Sequence, residues 1–308
     1  MKDKRVGVLM GGLSAERPVS FKSGKAVLAA LLARGYDAVA VDVGRDLPFE
    51  LRDKGIEVAW IALHGQFGED GCVQGLLEIM GIPYTGSGVR ASSAAMDKVT
   101  TKRLLQRSHI PLPADSVWRR GDEFPQEAEL PLVAKFPEGG STLGLHIVHD
   151  PGQLKAALLD LARLGEEVLL EQFIAGDEIT VAVLEGEALP VVGIVPNEGF
   201  FDFEAKYTEG TTRYEVPATT VGPEAQALAR QYATTAYKTL GLRGVARADF
   251  IVDAQGVPWF LEINTVPGMT ATSLSPMAAS CVGLSFEDLV ERLLLSATLH
   301  LSPATQAS

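Results

Sequence analysis

Cysteine is nearly missing from this 308-residue chain, which holds only Cys72 and Cys281. Two thiols so far apart in sequence supply neither a disulfide framework nor a zinc site, and a reducing cytoplasm is the expected compartment. Basic charge is also scarce, with 27 Lys and Arg against 39 Asp and Glu and a net charge of −12. A nucleic-acid partner is thereby disfavoured, because counterion release needs a basic surface. Any phosphate-bearing ligand has to be met by Lys and Arg concentrated locally. No window approaches the ~20 apolar residues of a membrane span. The amino terminus starts basic and then apolar, like a secretory signal, but its apolar run, Val6 to Met10, stops at Gly11-Gly12. There is no repeat and no low-complexity tract. Two phosphate signatures are absent as well, G-x-G-x-x-G and G-x-x-x-x-G-K-S/T. What is present, 46% apolar and 21% charged residues, is ordinary globular composition, and the length suffices for two or three domains.

The densest chemistry lies between Gly244 and Pro276. At a strand period of two, Arg247, Asp249 and Ile251 share one face of a first strand, and Phe260, Glu262 and Asn264 share one face of a second. Asp253-Ala254-Gln255-Gly256 between them has turn chemistry, so a hairpin is expected that brings Asp249 level with Glu262. Two carboxylates and an amide oxygen converging from rigid strands suit a hard divalent cation that keeps positions open for phosphate oxygens. Mg2+ is the expected metal, with Mn2+ as its substitute. A blander reading stands beside this one, since half-buried strands often carry an Asp that merely faces water. Directly downstream the chain leaves the strand through Pro267-Gly268, where freed backbone N–H groups can hold an anion.

Upstream, Arg5 to Met10 reads as a buried strand, Gly11 to Arg17 as a glycine turn and Val19 to Ala33 as a helix. This is an anion-binding start of a doubly wound, Rossmann-like domain that lacks the dinucleotide fingerprint. Ala38 to Val43 and Val58 to Leu63 add strands. Leu63-His64-Gly65 then sits at a carboxyl strand end, where open α/β sheets bind ligands, although a lone His there is commonly structural. Tyr84 to Gly88 is a glycine-rich joint, either a phosphate cradle or a flexible connection, and composition favours the connection. Met96-Asp97-Lys98 opens a helix, on which Lys98 by itself would be one more solvated lysine.

Lys135 interrupts the apolar strand Leu132 to Phe136, a costly placement without an anionic partner. The Pro137 to Gly144 loop after it can close over phosphates. Gln153 to Leu164 is an amphipathic helix. Val168 to Ile174 leads to a bend at Gly176, a pattern suited to an adenine slot lined by Phe173 and Ile174, with Glu178 accepting ribose hydroxyls, although most apolar strands are simply core. Residues 200–217 are polar, aromatic and poorly periodic, as in a long surface lid. Leu228, Tyr232, Ala236 and Leu240 form an expected core stripe on the helix Glu224 to Leu240, and Glu287 to Leu299 reads as a closing helix. Three units are expected, 1–87, 88–170 and 171–308.

Arg247-Ala248-Asp249 followed by Glu262-Ile263-Asn264-Thr265-Val266-Pro267-Gly268-Met269-Thr270 resembles the metal and oxyanion site of the ATP-grasp carboxylate-amine ligases, and of the D-alanine:D-alanine ligase family in particular. Further motifs in that family's order extend the resemblance over nearly the entire chain: Gly11 to Arg17, Leu63 to Gly65, Met96 to Lys98, Lys135 with its loop, Glu171 to Glu178 and Glu204 to Tyr207. The resemblance implies an ATP-grasp fold of mixed α/β and α+β domains, and ATP-dependent joining of two D-alanines for peptidoglycan. A cytoplasmic homodimer is implied with it.

By the same resemblance, Ser14, Glu16 and His64 lie beside the first amino acid, and Lys98, Lys135 and Lys206 meet nucleotide phosphates. Glu171, Phe173, Ile174 and Glu178 form the nucleotide hinge. Ser141 and Tyr207 are linked to Glu16 by hydrogen bonds, and Tyr207 favours dipeptide over ester formation. Arg247 and the Gly268 N–H stabilise the oxyanion, Ser273 and the Leu274 N–H take the second carboxylate, and Asp249, Glu262 and Asn264 hold the metal. Pro18, Phe136 and Gly139 depart from the family's usual acid, proline and glutamate. The alternatives are another ATP-grasp ligase, such as one forming D-alanine:D-lactate, or a nucleotide-binding module without turnover. The module predicts a broken metal set, whereas Asp249, Glu262 and Asn264 are all present.

Overall fold

A computed structural model describes residues 1–125, 127–139, 144–196 and 212–301. Its first sheet places β1 (Arg5–Gly11) between β2 (Asp37–Val43) and β3 (Val58–Ile61), parallel to both. Val6, Val8 and Met10 face helix α1 (Arg17–Ala33), whereas Leu9 faces α2 (Leu47–Asp53) and α3 (Cys72–Met80). Helices on both faces explain why β1 is apolar at nearly every position rather than at alternate ones.

The joint from Tyr84 to Gly88 is a packed seam, contrary to the flexible connection favoured by its glycines. Tyr84 is fully buried and bridges Ala59 on one side and Thr298 on the other. Thr85 Oγ1 accepts from the Ile61 N–H at 3.0 Å, and Ser87 Oγ accepts from the Arg243 N–H at 3.1 Å. Beyond the joint come α4 (Val89–Met96) and α5 (Lys98–Leu105), the second started by the Asp97 side chain accepting from the N–H groups of Val99 and Thr100.

The second sheet is antiparallel, in the order β4 (Asp115–Arg119), β7 (Glu167–Gln172), β5 (Leu132–Lys135), β6 (Leu145–Val148), and is covered by α6 (Pro151–Leu161). Phe136, one of the departures from the family pattern, packs over two glycines. A Cβ on Gly165 would meet its ring at 2.4 Å, and one on Gly144 would meet its Cβ at 3.1 Å.

A third sheet runs β11 (Thr212–Glu215), β10 (Val192–Pro196), β8 (Asp177–Leu184), β12 (Val245–Val252), β13 (Pro258–Asn264), with β9 (Glu187–Ala188) beside β8. Part of the expected lid is therefore strand, since Thr212 to Glu215 pair antiparallel with β10. Helix α7 (Pro223–Thr239) lies on this sheet through Ala225, Ala229, Ala233 and Ala236, while Leu228 of the expected stripe is 37% exposed. Methyl side chains let the helix axis approach the sheet more closely than a leucine row would. Helices α8 (Leu274–Ser280) and α9 (Phe286–Leu295) return to the first sheet's core, where Arg34 pairs with Asp288 and Glu291. Among the described residues no helix is long and apolar enough to cross a membrane.

Gly176 joins β7 to β8, and a Cβ there would stand 2.0 Å from the Val252 carbonyl oxygen. Gly176→Ala is expected to cost about 1–3 kcal/mol through backbone displacement. The loss is readable as a lower melting midpoint, and an unchanged midpoint would mean that the turn relaxes freely.

Candidate active site

The hairpin forms as its turn chemistry predicts. Asp253 caps the turn by accepting from the N–H groups of Gln255 and Val257, each at 2.9 Å. Arg247 pairs with Asn264 across the strands and Asp249 with Glu262, but a β-bulge follows Asp249 and sets Phe250 opposite Phe260. The extra residue reverses the alternation of β13. Phe260 accordingly does not share a face with Glu262. It enters the core with Ile263 and meets Phe250 edge-on at 5.6 Å.

Glu262 and Asn264 face a cleft of about 580 Å3, which Arg247, Lys98, Glu16, His64 and Gly268 also line. Lys98, the first residue of α5, donates to the Gly139 carbonyl at 2.6 Å and pairs with Glu262 at 3.0 Å. Burial pushes the Glu262 carboxyl up, but Lys98 and then Lys135 hold it down at about 2. Asp249, 7% exposed, receives both arms of the Arg247 guanidinium at 2.8 Å, the Thr180 hydroxyl at 2.6 Å and the Asn264 amide at 3.3 Å.

No cluster of three or more His, Cys, Asp and Glu suited to a metal exists among the described residues. A divalent cation here would have the Glu262 carboxylate and the Asn264 amide from the cleft wall, with Asp249 joining them only on release of Arg247, and its remaining oxygens drawn from substrate. That donor set fits Mg2+, which binds through one or two carboxylates and phosphates.

Lys135 of β5 ion-pairs with Glu171 of β7, and Lys102 closes the other side of the same carboxylate at 2.5 Å. Glu171 is 3% exposed and Lys102 1%. Burial raises the Glu171 carboxyl, and the two lysines, Lys135 foremost, bring it below its ordinary value. Glu171 thus presents a charge to Lys135 rather than an open side chain to the hinge. Lys102 escaped sequence reasoning, although its place one helical turn after Lys98 put both lysines on one face. Ile174 and Glu178 are buried around the β7–β8 turn and Phe173 is half-buried there, outside the lining of this cleft.

On the opposite wall, Glu16 has its carboxyl raised by burial and by Glu69. Ser14 spends its hydroxyl on the His64 carbonyl at 2.7 Å, which ties the first turn to the end of β3. His64 is 7% exposed, and burial lowers its pKa. Glu69, also missed from sequence, accepts from the N–H of Gly65 at 2.9 Å and of Val266 at 3.0 Å, with burial raising its pKa. An acid in an ordinary-looking loop carries no signal of such a partner 197 residues away. Ser273 and Leu274 open α8 behind Gly268, with Ser273 Oγ accepting from the Thr270 N–H at 3.1 Å, and they do not line the cleft. Ser141, Lys206 and Tyr207 lie outside the described residues.

Comparison with known proteins covers nearly the full length. The family described as D-ala D-ala ligase C-terminus matches residues 108–295, and the one described as D-ala D-ala ligase N-terminus matches residues 47–87. A D-alanine–D-alanine ligase of Syntrophotalea carbinolica is 51% identical over 302 residues, 97% of this chain and 98% of that protein. One from Desulforudis audaxviator is 50% identical over 299 residues, 94% of this chain and 97% of that protein. Among solved structures, the Bacillus anthracis D-alanine–D-alanine ligase complexed with ATP superposes with a TM-score of 0.84 at 32% identity, covering 95% of this chain and 97% of its own. With a relative identical at half its positions along almost all of its length, and with both matched regions contributing residues to the cleft, the chain belongs to the D-alanine–D-alanine ligase family.

Proposed function

We propose that the chain is an ATP-dependent ligase that joins two D-alanines into D-alanyl-D-alanine for peptidoglycan, releasing ADP and phosphate. The observation that carries this reading is a single cleft bounded by Asp249-paired Glu262 and Lys98 on the phosphate side and by Glu16 on the amino-acid side. A free carboxylate is a poor acyl donor, because its leaving group would be oxide. In the first step a carboxylate oxygen of D-alanine attacks the terminal phosphorus of ATP, the bond to the bridging oxygen breaks, and ADP leaves with that electron pair. The second amine then attacks the acyl phosphate carbon, loses a proton, and expels phosphate.

Lys98 and Lys135 exchange their carboxylate partners for phosphate oxygens as the nucleotide enters, and Lys206 joins them on the phosphates. Asp249, Glu262 and Asn264 would hold Mg2+ or Mn2+, which would supply charge neutralisation to the transferring phosphoryl group. Glu16 holds the first ammonium, with Ser141 and Tyr207 linked to it. Arg247 and the Gly268 N–H meet the tetrahedral oxyanion, worth roughly 3 kcal/mol per donor by general precedent. Ser273 and the Leu274 N–H take the second carboxylate. Glu171, through Lys135, orients the phosphate side of the nucleotide, and Phe173, Ile174 and Glu178 form its base and ribose end. Water has to be excluded or the acyl phosphate hydrolyses, which gives the segment around Tyr207 a reason to close. Units 1–87, 88–170 and 171–308 divide this work, in a cytoplasmic homodimer.

Incubation with Mg2+-ATP and D-alanine, followed by mass and chiral analysis, tests the reading. D-alanyl-D-alanine formed mole for mole with ADP is expected. An ester as the main product when D-lactate is added would favour the depsipeptide ligases, and ATP left intact would overturn the reading altogether.

A further inference from the structure

Ser23 is unused by the chemistry above, yet it reaches the loop after β13 from the other wall of the cleft. It lies on the buried side of α1, 1% exposed. Its Oγ accepts from the Met269 N–H at 3.1 Å and stands 3.1 Å from His64 Nε2. The Val266 backbone lies beside the His64 ring and favours its charged form. The Ser23 oxygen already accepts from Met269, so its single hydroxyl proton is free for Nε2 of the neutral ring. One hydroxyl thus joins the Met269 N–H to the His64 ring and holds the loop just beyond Gly268.

We propose that Ser23 is a positioning residue for the ligase reaction, fixing through Met269 N–H and His64 Nε2 the loop that aims the Gly268 N–H at the oxyanion. The inference rests on the reading of Gly268 given above. Anchoring the Met269 N–H sets the peptide on the carbonyl side of Gly268, while Glu69 on the Val266 N–H sets the loop's near end. Protonating His64 would turn two N–H donors onto the Ser23 oxygen and leave its own proton without an acceptor. Burial favours the neutral ring and Arg247 adds to that, while Glu16 opposes it. Glu69 stands one peptide away on the Gly65 N–H.

Steady-state kinetics of Ser23→Ala and Ser23→Thr against pH, with 15N spectra of the His64 ring, test the proposal. The alanine variant is expected to lose kcat by about 10- to 100-fold, the scale of a small misplacement of reacting groups, with KM for ATP and D-alanine unchanged. Without the Ser23 hydroxyl donating to neutral Nε2, the His64 pKa rises, so the acid limb of kcat moves to higher pH. The threonine variant, which keeps the hydroxyl, restores both. Unchanged kcat overturns the proposal, and so does a lower kcat with the acid limb and the His64 15N shifts as in the wild type. If the alanine variant does not melt cooperatively, Ser23→Cys, similar in volume but a poor hydrogen-bond partner, takes its place under the same criteria. Glu262→Gln run in parallel separates the two layers. An inactive glutamine variant beside a fully active Ser23→Ala rejects the positioning role alone, whereas an active glutamine variant rejects the reading of the site itself.

Discussion

Glu262→Gln is expected to lower ADP formation by about a thousandfold, the upper range for deleting one preorganised electrostatic contact, while the cooperative melt survives. Glutamine keeps the shape of the side chain and the bulged hairpin around it. It removes the anion that faces Asp249 across the strands and balances Lys98 and Lys135. The sign of the accompanying pH effect follows from the carboxyl being held at about 2, below its ordinary value of 4.5. A depressed folded-state pKa contributes stability that is complete above about 4.5 and lost as pH falls towards 2. The wild type therefore sheds this contribution only in strong acid, and the variant lacks that part of the acid dependence. A coupled ADP-release assay reads the kinetic effect, and an unchanged rate would remove Glu262 from the metal set.

Lys102→Met should produce the largest loss of stability, about 3 kcal/mol, the lower end for breaking a buried ion pair. The lower end applies because Glu171 keeps Lys135. Lys102 also donates to the Pro113 carbonyl at 2.8 Å, a bond that methionine cannot make. Burial raises the Glu171 carboxyl, and Lys135 and Lys102 together bring it below normal. Removing one of them lets it climb. The contribution of a depressed carboxylate is present above its unfolded pKa and disappears as pH falls through the folded one. The gap between wild type and variant is therefore widest near neutrality and narrows in acid below about 4.5. Denaturant melts at several pH values measure that gap, and equal midpoints at neutral pH would sink the prediction. Since Lys135 must then neutralise Glu171 alone, the KM for ATP should rise as well.

Much of the site is legible in local sequence pattern, for identifiable physical reasons. Turn chemistry at Asp253 to Gly256 marks the hairpin, and a period of two places Asp249 opposite Glu262. Lys135 inside an apolar strand announces that it needs an anion, but the anion's identity, Glu171, depends on which strand packs alongside. Asp97 before Lys98 marks a helix start that aims the lysine into the cleft.

Local sequence determined the strands, the capped helix starts, the hairpin and the types of group available for phosphate and metal chemistry, because each depends on a few neighbouring residues and their backbone preferences. Tertiary structure alone decided the bulge that turns Phe260 inward, the alanine face of α7, and the roles of Ser23, Glu69 and Lys102. Those outcomes follow from packing between segments distant in the chain. A buried polar side chain must find a partner wherever the fold brings one, as Ser23 does with Met269 across 246 positions.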